Sequence, residues 1–459
     1  MVSVLLAANV ADGHVAPMLG VAEQFAGSGH RVRFLAGDRF ADAVRRTGAE
    51  FIPWPAEAQV DHQAVLAEMV AQGGRPSGTR GVARSVDRIF VAPAPAQYAA
   101  LREALEAERT DAVLTEFTVV GAAALVFSRQ PRPPVVACGI LPLGLSSVDT
   151  APWGLGILPR SDALGRVRNR FLAWAARNYI LRAPQRQVEQ MVEQLSGAEL
   201  DVFFMDWAVR ADHYAQFTVP GFEYPRRDLP ANVSFIGPVS RASSRAAELP
   251  SWWHELDRDL PVVHVSQGTV ANEDFEDLVL PTMRALEDHH VLVVVSTGGA
   301  PVDVLGPLPP NVRAAEFLPY DLLMPKVRVF VTNGGYGGLH FALGHGVPIV
   351  VAGDTEDKME TTRRVEWSGV GINLRTGTPT QAQIATAVER VLSERHFREH
   401  AVALQTEIES APGVAGLERI VIELVASDRY GPAITGPVRA ADVPATTAIP
   451  RMPRRARRR

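Results

Sequence analysis

Residues 331–374 read VTNGGYGGLHFALGHGVPIVVAGDTEDKMETTRRVEWSGVGINL, and the order of residue types in this stretch decides the fold. The run 327–332 is short and mostly apolar, as a strand buried on both faces is. Residues 333–338, NGGYGG, then place four glycines where a helix has to start. Such a turn lets a phosphate approach backbone N–H groups and the positive end of the helix dipole. Pro348 opens a second strand over 349–352. Asp354, Glu356, Asp357 and Lys358 follow at its carboxyl end, where open α/β sheets bind their ligands. One loop is therefore expected to hold a phosphorylated donor, and the next to read what is attached to it.

The rest of the chain repeats the pattern. A strand over 3–8, a polar turn over 9–14, a helix over 15–25 with Pro17 in its first turn, and a strand over 31–36 form a βαβ unit. Gly27-Ser28-Gly29 ends that helix. Strands are expected at 112–115 and 135–138, helices at 61–72 and 94–108, a loop at 150–160, and one or two long helices over 166–195. Between 215 and 260 the chain turns proline-rich, with short strands. A second series then begins: a strand over 261–267, a helix near 273–287, and strands over 290–296 and 313–317. Two βα series predict an α/β protein of two facing, doubly wound parallel sheets. The expected division is an N-terminal domain over 1–215, a linker region over 216–260, a C-terminal domain over 261–410, a last helix over 411–428 and a disordered, arginine-rich tail over 429–459.

Composition narrows the function. Cys138 is the single cysteine, which excludes an internal disulfide and a cysteine-built metal cluster and fits a reducing cytoplasm. The first residues carry no basic leader, and no run reaches about 18 apolar residues, so neither export nor stable membrane insertion is expected. Six arginines lie in the last nine residues, so the body is more acidic than the net charge of −5, a poor nucleic-acid surface. The tail itself reads as a solvated end.

Among the residues that could do chemistry, His14 follows the first strand at its carboxyl end. It suits proton transfer near neutral pH, or, equally, is a helix-start histidine bonded to nearby backbone. His30 reads as structural. Glu116 follows the strand at 112–115, and a carboxylate beside an imidazole fixes its tautomer and stabilises the imidazolium. It could also be an ordinary loop acid. Ser266, Gly268 and Thr269, in VSQGT, form a second candidate phosphate turn. Neither turn is a Walker loop, and the first βα turn has no GxGxxG, which argues against a dehydrogenase. Phe317 and Leu318, ahead of Pro319, stand at a strand end where a nucleobase could be held.

Taken together, GHVAPMLGVAEQFAGSGHRVRFLAG around His14, VSQGT, FLP and residues 331–374 resemble the UDP-sugar-dependent family 1 glycosyltransferases of GT-B fold. The likeness is greatest to the bacterial enzymes that glycosylate antibiotics, among them macrolides and rifamycins. It implies an inverting displacement with His14 as base and UDP as leaving group, with UDP-glucose the first donor to expect. Glu116 falls where the family usually has aspartate. Ser266, Thr269 and the turn at Asn333, Gly335, Tyr336, Gly337 and Gly338 match the diphosphate side, Leu318 a uracil contact, and Asp357 the acid on the sugar hydroxyls. Three residues depart from the family: Asn333 replaces a histidine, Gly338 a Ser or Thr, and Lys358 a glutamine. Lysine offers donors but no acceptor. The resemblance implies no metal and no other cofactor, since protein donors and dipoles manage the leaving diphosphate.

The acceptor, a lipophilic hydroxylated small molecule, is expected on the N-terminal half. Phe90, Phe117, Trp153, Phe171 and Trp174 are the aromatic candidates for its pocket, though each could be core. Two other readings use the same scaffold: an epimerase acting on a UDP-sugar, and a non-catalytic nucleotide-sugar binder that assists another transferase.

Overall fold

The computed structural model describes residues 1–71, 78–239, 249–268, 274–354 and 357–427. Seven strands form the first sheet: β1 (Ser3–Ala7), β2 (Arg31–Ala36), β3 (Glu50–Pro53), β4 (Ala112–Glu116), β5 (Val135–Gly139), β6 (His213–Gln216) and β7 (Val233–Phe235). Their order is β3-β2-β1-β4-β5-β6-β7, all parallel. The second sheet holds β8 (Val262–Ser266), β9 (Leu292–Ser296), β10 (Val312–Ala315), β11 (Val327–Thr332), β12 (Ile349–Val351) and β13 (Gly371–Asn373). Its order is β10-β9-β8-β11-β12-β13, again all parallel. Both are doubly wound sheets, as expected, and each reverses strand order once, between β1 and β4 and between β8 and β11.

The central strands β1, β4, β8 and β9 are buried along nearly their whole length because helices cover both faces. Runs such as LVVVS supply the β-branched side chains that such strands need.

The structure corrects several boundaries. The first helix runs Asp12–Gly27, so His14 sits in its first turn and Pro17 in its second. The chain can turn this early because the Asn9 N–H and side chain are both captured by the β4 end. Strands β3, β6 and β7 had no clear signal. They are short, and β7 puts part of the first sheet inside the region expected to be linker. The long helical stretch is two helices, Ala163–Ala175 and Arg182–Ser196, joined by a π-helical turn. The last helix, Gly413–Ala426, returns to the first domain, where Leu417 and Val421 join the core beside β1 and β2. There Glu418 accepts from Ser28 Oγ and lies 3.0 Å from His30 Nε2, which gives His30 its structural role. The expected tail, 429–459, lies outside the described residues.

The carboxyl ends of the two sheets meet. The loop after β5 presents the Gly154 and Gly156 N–H groups to Glu360 Oε1, on the helix Lys358–Ser368 that follows β12. The segment after β6 brings Thr218 Oγ1 to 2.8 Å from His340 Nε2. Glu223 from the same segment accepts from Arg364 Nε at 2.9 Å and from the Tyr336 hydroxyl at 3.2 Å. Arg364 also donates to Glu360 Oε2 at 3.0 Å and lies over the Tyr224 ring.

Candidate active site

At the β1–β4 reversal, the first helix and the end of β4 bring His14 and Glu116 together, although 102 positions separate them. His14 Nδ1 lies 3.2 Å from Glu116 Oε1 and 3.1 Å from Thr118 Oγ1. Glu116 is fully buried, and its carboxylate accepts from Asn9 N, from Thr118 N and from the Thr118 hydroxyl. Burial alone would raise the Glu116 carboxyl. The adjoining His14 ring, the Thr118 hydroxyl and the Thr118 N–H outweigh it and hold the group below the usual carboxylate range. Asn9 is fixed in turn, donating to Thr118 O and accepting from Gln97 Nε2, so the network has partners throughout. Glu116 is the last residue of β4, and its side chain reaches His14 from there. With Nδ1 facing a carboxylate, Nε2 is the ring nitrogen that can take a proton.

His62 was missed. It opens the helix His62–Ala71, with no motif to mark it, yet its ring stands edge-on to His14 at 5.6 Å. Phe90 completes the group, 6.3 Å from His14 and 5.6 Å from His62. Burial, reinforced by the neighbouring His14, pushes His62 down to about 4. Burial does the same to His264, on β8, and to His340 at the domain junction, each to about 4. Each stays neutral in the folded chain while its unfolded counterpart protonates near 6.5. Stability is therefore full above pH 6.5 and is lost as pH falls toward 4, by on the order of 3 kcal/mol per histidine. Urea unfolding at pH 7.5 and pH 5 is expected to show a clear fall. Equal midpoints would contradict the burial of these rings.

The β8–β11 reversal carries the second half of the site. Asn333 Nδ2 donates to Gln267 O at 2.5 Å and so bridges the two turns. Gly268 has φ +77° and donates to Ser266 Oγ, at the buried end of β8. Thr269 lies outside the described residues. Gly334 has φ +95° and is packed among Val351, Thr361 and Thr362, so a side chain there is strained twice over. The helix Tyr336–Gly344 begins two residues later. A Cβ on Gly335 or Gly337 would meet nothing within 4 Å, leaving the outer face of the turn open to a ligand. A Cβ on Gly338 would lean on Phe330 instead. Tyr336 turns inward, its hydroxyl on Glu223, so at that position only backbone faces the turn.

The acidic loop arrives beside this turn. Gly353 is an obligate glycine, because a Cβ would come within 2.0 Å of Asn333 O. Lys358 is buried, and its stem packs at the same spot, so Lys358 and Asn333 flank one glycine. Thr361 Oγ1 donates to Gly334 O, tying the following helix to the turn. Asp357 precedes that helix, and its carbonyl accepts the Glu360 and Thr361 N–H groups. Phe317 is exposed with its ring over Gly299, whereas Leu318 is buried in the second-domain core.

The acceptor candidates divide. Phe90 adjoins His14. Phe117 is half-buried, packs on both cores of the first domain, and accepts from Trp207 Nε1 through its carbonyl. Trp153 packs on Gly144, next to the loop that meets Glu360. Phe171 and Trp174 lie on an exposed helix surface and not in the core. The geometry thus offers a carboxylate-held base at the carboxyl end of one sheet and an open glycine turn at that of the other.

Residues 279–424 match the family described as erythromycin biosynthesis protein CIII-like, C-terminal domain. The chain is 40% identical over 423 residues to 4'-demethylrebeccamycin synthase of Lentzea aerocolonigenes, covering 92% of this chain and 99% of that one. It is 32% identical over 446 residues to UDP-glucosyltransferase 1 of Beauveria bassiana, covering 92% and 95%. Its fold is that of the calicheamicin glycosyltransferase CalG4, with TM-score 0.67 and 24% identity over 93% of this chain and 98% of that one. Identity sustained over almost the full length of both chains is the signature of common descent, and the chain belongs to the UDP-glycosyltransferase family, as a GT-B natural-product glycosyltransferase that moves a sugar from a nucleotide sugar to a small-molecule acceptor.

Proposed function

We propose that this enzyme transfers a hexose, glucose first, from a UDP-sugar to a hydroxyl of a lipophilic natural product such as a macrolide or rifamycin-type antibiotic, with inversion. The observation that carries this reading is the His14–Glu116 contact at the reversal point of one sheet, with the Asn333–Gly335 turn at the reversal point of the other. His14 Nε2 takes the proton of the acceptor hydroxyl as its oxygen bonds to the anomeric carbon. The bond from that carbon to the UDP oxygen breaks, and UDP leaves with the electron pair. Glu116 stabilises the imidazolium so formed. The N–H groups at the turn, with Asn333 and Lys358, take up charge on the departing diphosphate, without a metal or other cofactor. The Phe317 ring and the Leu318 backbone hold the nucleobase, and Asp357 the sugar hydroxyls. The name of the Beauveria relative supports glucose.

An auxiliary binder has no use for a buried, carboxylate-held base, and an epimerase has none for an acceptor. The test is mass spectrometry of hydroxylated antibiotics incubated with the enzyme and UDP- or TDP-sugars. A gain of one hexose on an acceptor is expected, with UDP released only when acceptor is present. UDP release or sugar isomerisation without acceptor would replace this reading with the epimerase one, and tight donor binding without product would point to an auxiliary role.

A further inference from the structure

Phe171 and Trp174 sit on the helix Ala163–Ala175, whose inner side is fixed by buried Gly165 and Asn169, the latter donating to Val148 O. Opposite that side, Leu164, Val167, Phe171 and Trp174 form a ridge whose exposure runs from 51% (Trp174) to 70% (Leu164). At helical spacing the four fall within an arc of about 80°. Tyr179, in the π-helical turn that follows, extends the ridge: its ring lies 5.1 Å from that of Trp174, which lies 6.0 Å from that of Phe171. Four or five large apolar side chains at such exposure on one helix are a partner surface, whereas a scattered exposed leucine is not.

The charge around the ridge is one-sided. Arg166, Arg168, Arg170, Arg177, Arg182 and Arg186 follow one another with no acid between Asp162 and Glu189, in a chain whose net charge is −5. None of the six makes a salt bridge among the described residues. Arg166 and Arg170 fall on one shoulder of the ridge and Arg168 on the other. An apolar crest of Trp, Phe and Leu with arginine shoulders, on a helix whose other face is already packed, is the pattern of an interfacial helix. Arginine stems lie along apolar surface while their heads reach phosphates, and Trp and Tyr settle at the headgroup level. A second copy of the chain would bring arginine against arginine.

We infer that this face docks the enzyme on an anionic lipid surface, without insertion of a spanning segment. The inference does not depend on which sugar is transferred. It would hold the catalytic cleft beside a phase in which lipophilic acceptors dissolve.

The test is co-sedimentation of the full chain with vesicles of phosphatidylglycerol and phosphatidylcholine, against phosphatidylcholine alone, at low and high salt. Binding to the anionic vesicles, weakened by salt, is expected. It should fall on the order of tenfold in Phe171→Ser/Trp174→Ser and in Arg166→Gln/Arg170→Gln. These side chains are exposed, so unchanged unfolding midpoints will verify that both variants fold. Binding that survives the Phe171→Ser/Trp174→Ser change comes from the arginine-rich tail and overturns the inference. So does a concentration-dependent dimer that the same change abolishes, or a raised acceptor KM in lipid-free assays with no vesicle binding.

Discussion

Replacing His14 by alanine lowers kcat by about 10²–10⁴-fold, the range that a positioned general base contributes, while UDP-sugar affinity stays within a small factor of the parent. The two effects separate because the base and the donor turn belong to different sheets. His14 is packed by Phe90 and His62 and bonded to Glu116, so its loss also leaves Glu116 buried with its Asn9 and Thr118 donors but without the ring. Glu116→Gln therefore serves as a second probe. It keeps the shape and removes the charge that stabilises the imidazolium, so it lowers kcat and moves the acid limb of the rate profile to lower pH. Steady-state kinetics with acceptor and donor varied in turn, plus calorimetric UDP binding, measure both. Turnover by His14→Ala within a few-fold of the parent would remove His14 as the base.

Arg364→Ala is expected to cost about 3–5 kcal/mol of stability, as the loss of one partner from a buried ionic group does. The guanidinium is about 1% exposed and sits between Glu223 of the first domain's trailing segment and Glu360 of the second domain. Removing it strands two carboxylates in a dry junction. Arg226 compensates only in part: its charge already acts on Glu223, while its Nη2 is held by Leu143 O. The same junction fixes Tyr336 at the head of the glycine turn, so donor affinity should fall along with stability. Chemical denaturation reads the first effect and calorimetry the second. Arg364→Met with Glu223→Gln and Glu360→Gln should recover part of the stability, because the stranded charges are gone. A loss below about 1 kcal/mol in the single variant would show that the junction is hydrated.

Much of the fold was legible in the sequence. The strand at 327–332, the NGGYGG turn and the strand after Pro348 lie within one or two residues of their expected places, because turn chemistry and apolar runs are local properties. Short strands such as β3 and β7 were not legible. Three or four half-buried residues carry no period, and only their neighbours in the sheet hold them. The exposure of Phe171 and Trp174 was not legible for a related reason. Aromatics at helical spacing read alike whether the face that they share is covered or bare.

The sequence by itself determined two doubly wound parallel sheets, a glycine turn fit for a diphosphate, and a histidine at the first strand's carboxyl end. Only the tertiary structure decided that Glu116 reaches His14, that His62 joins them, that Asn333 and Lys358 flank Gly353, and that Tyr336 turns away from the turn that it occupies. Local patterns specify elements. Which elements lie side by side follows from strand order and register, where residues a hundred positions apart come within 3.2 Å because β1 and β4 are neighbours at the reversal of their sheet.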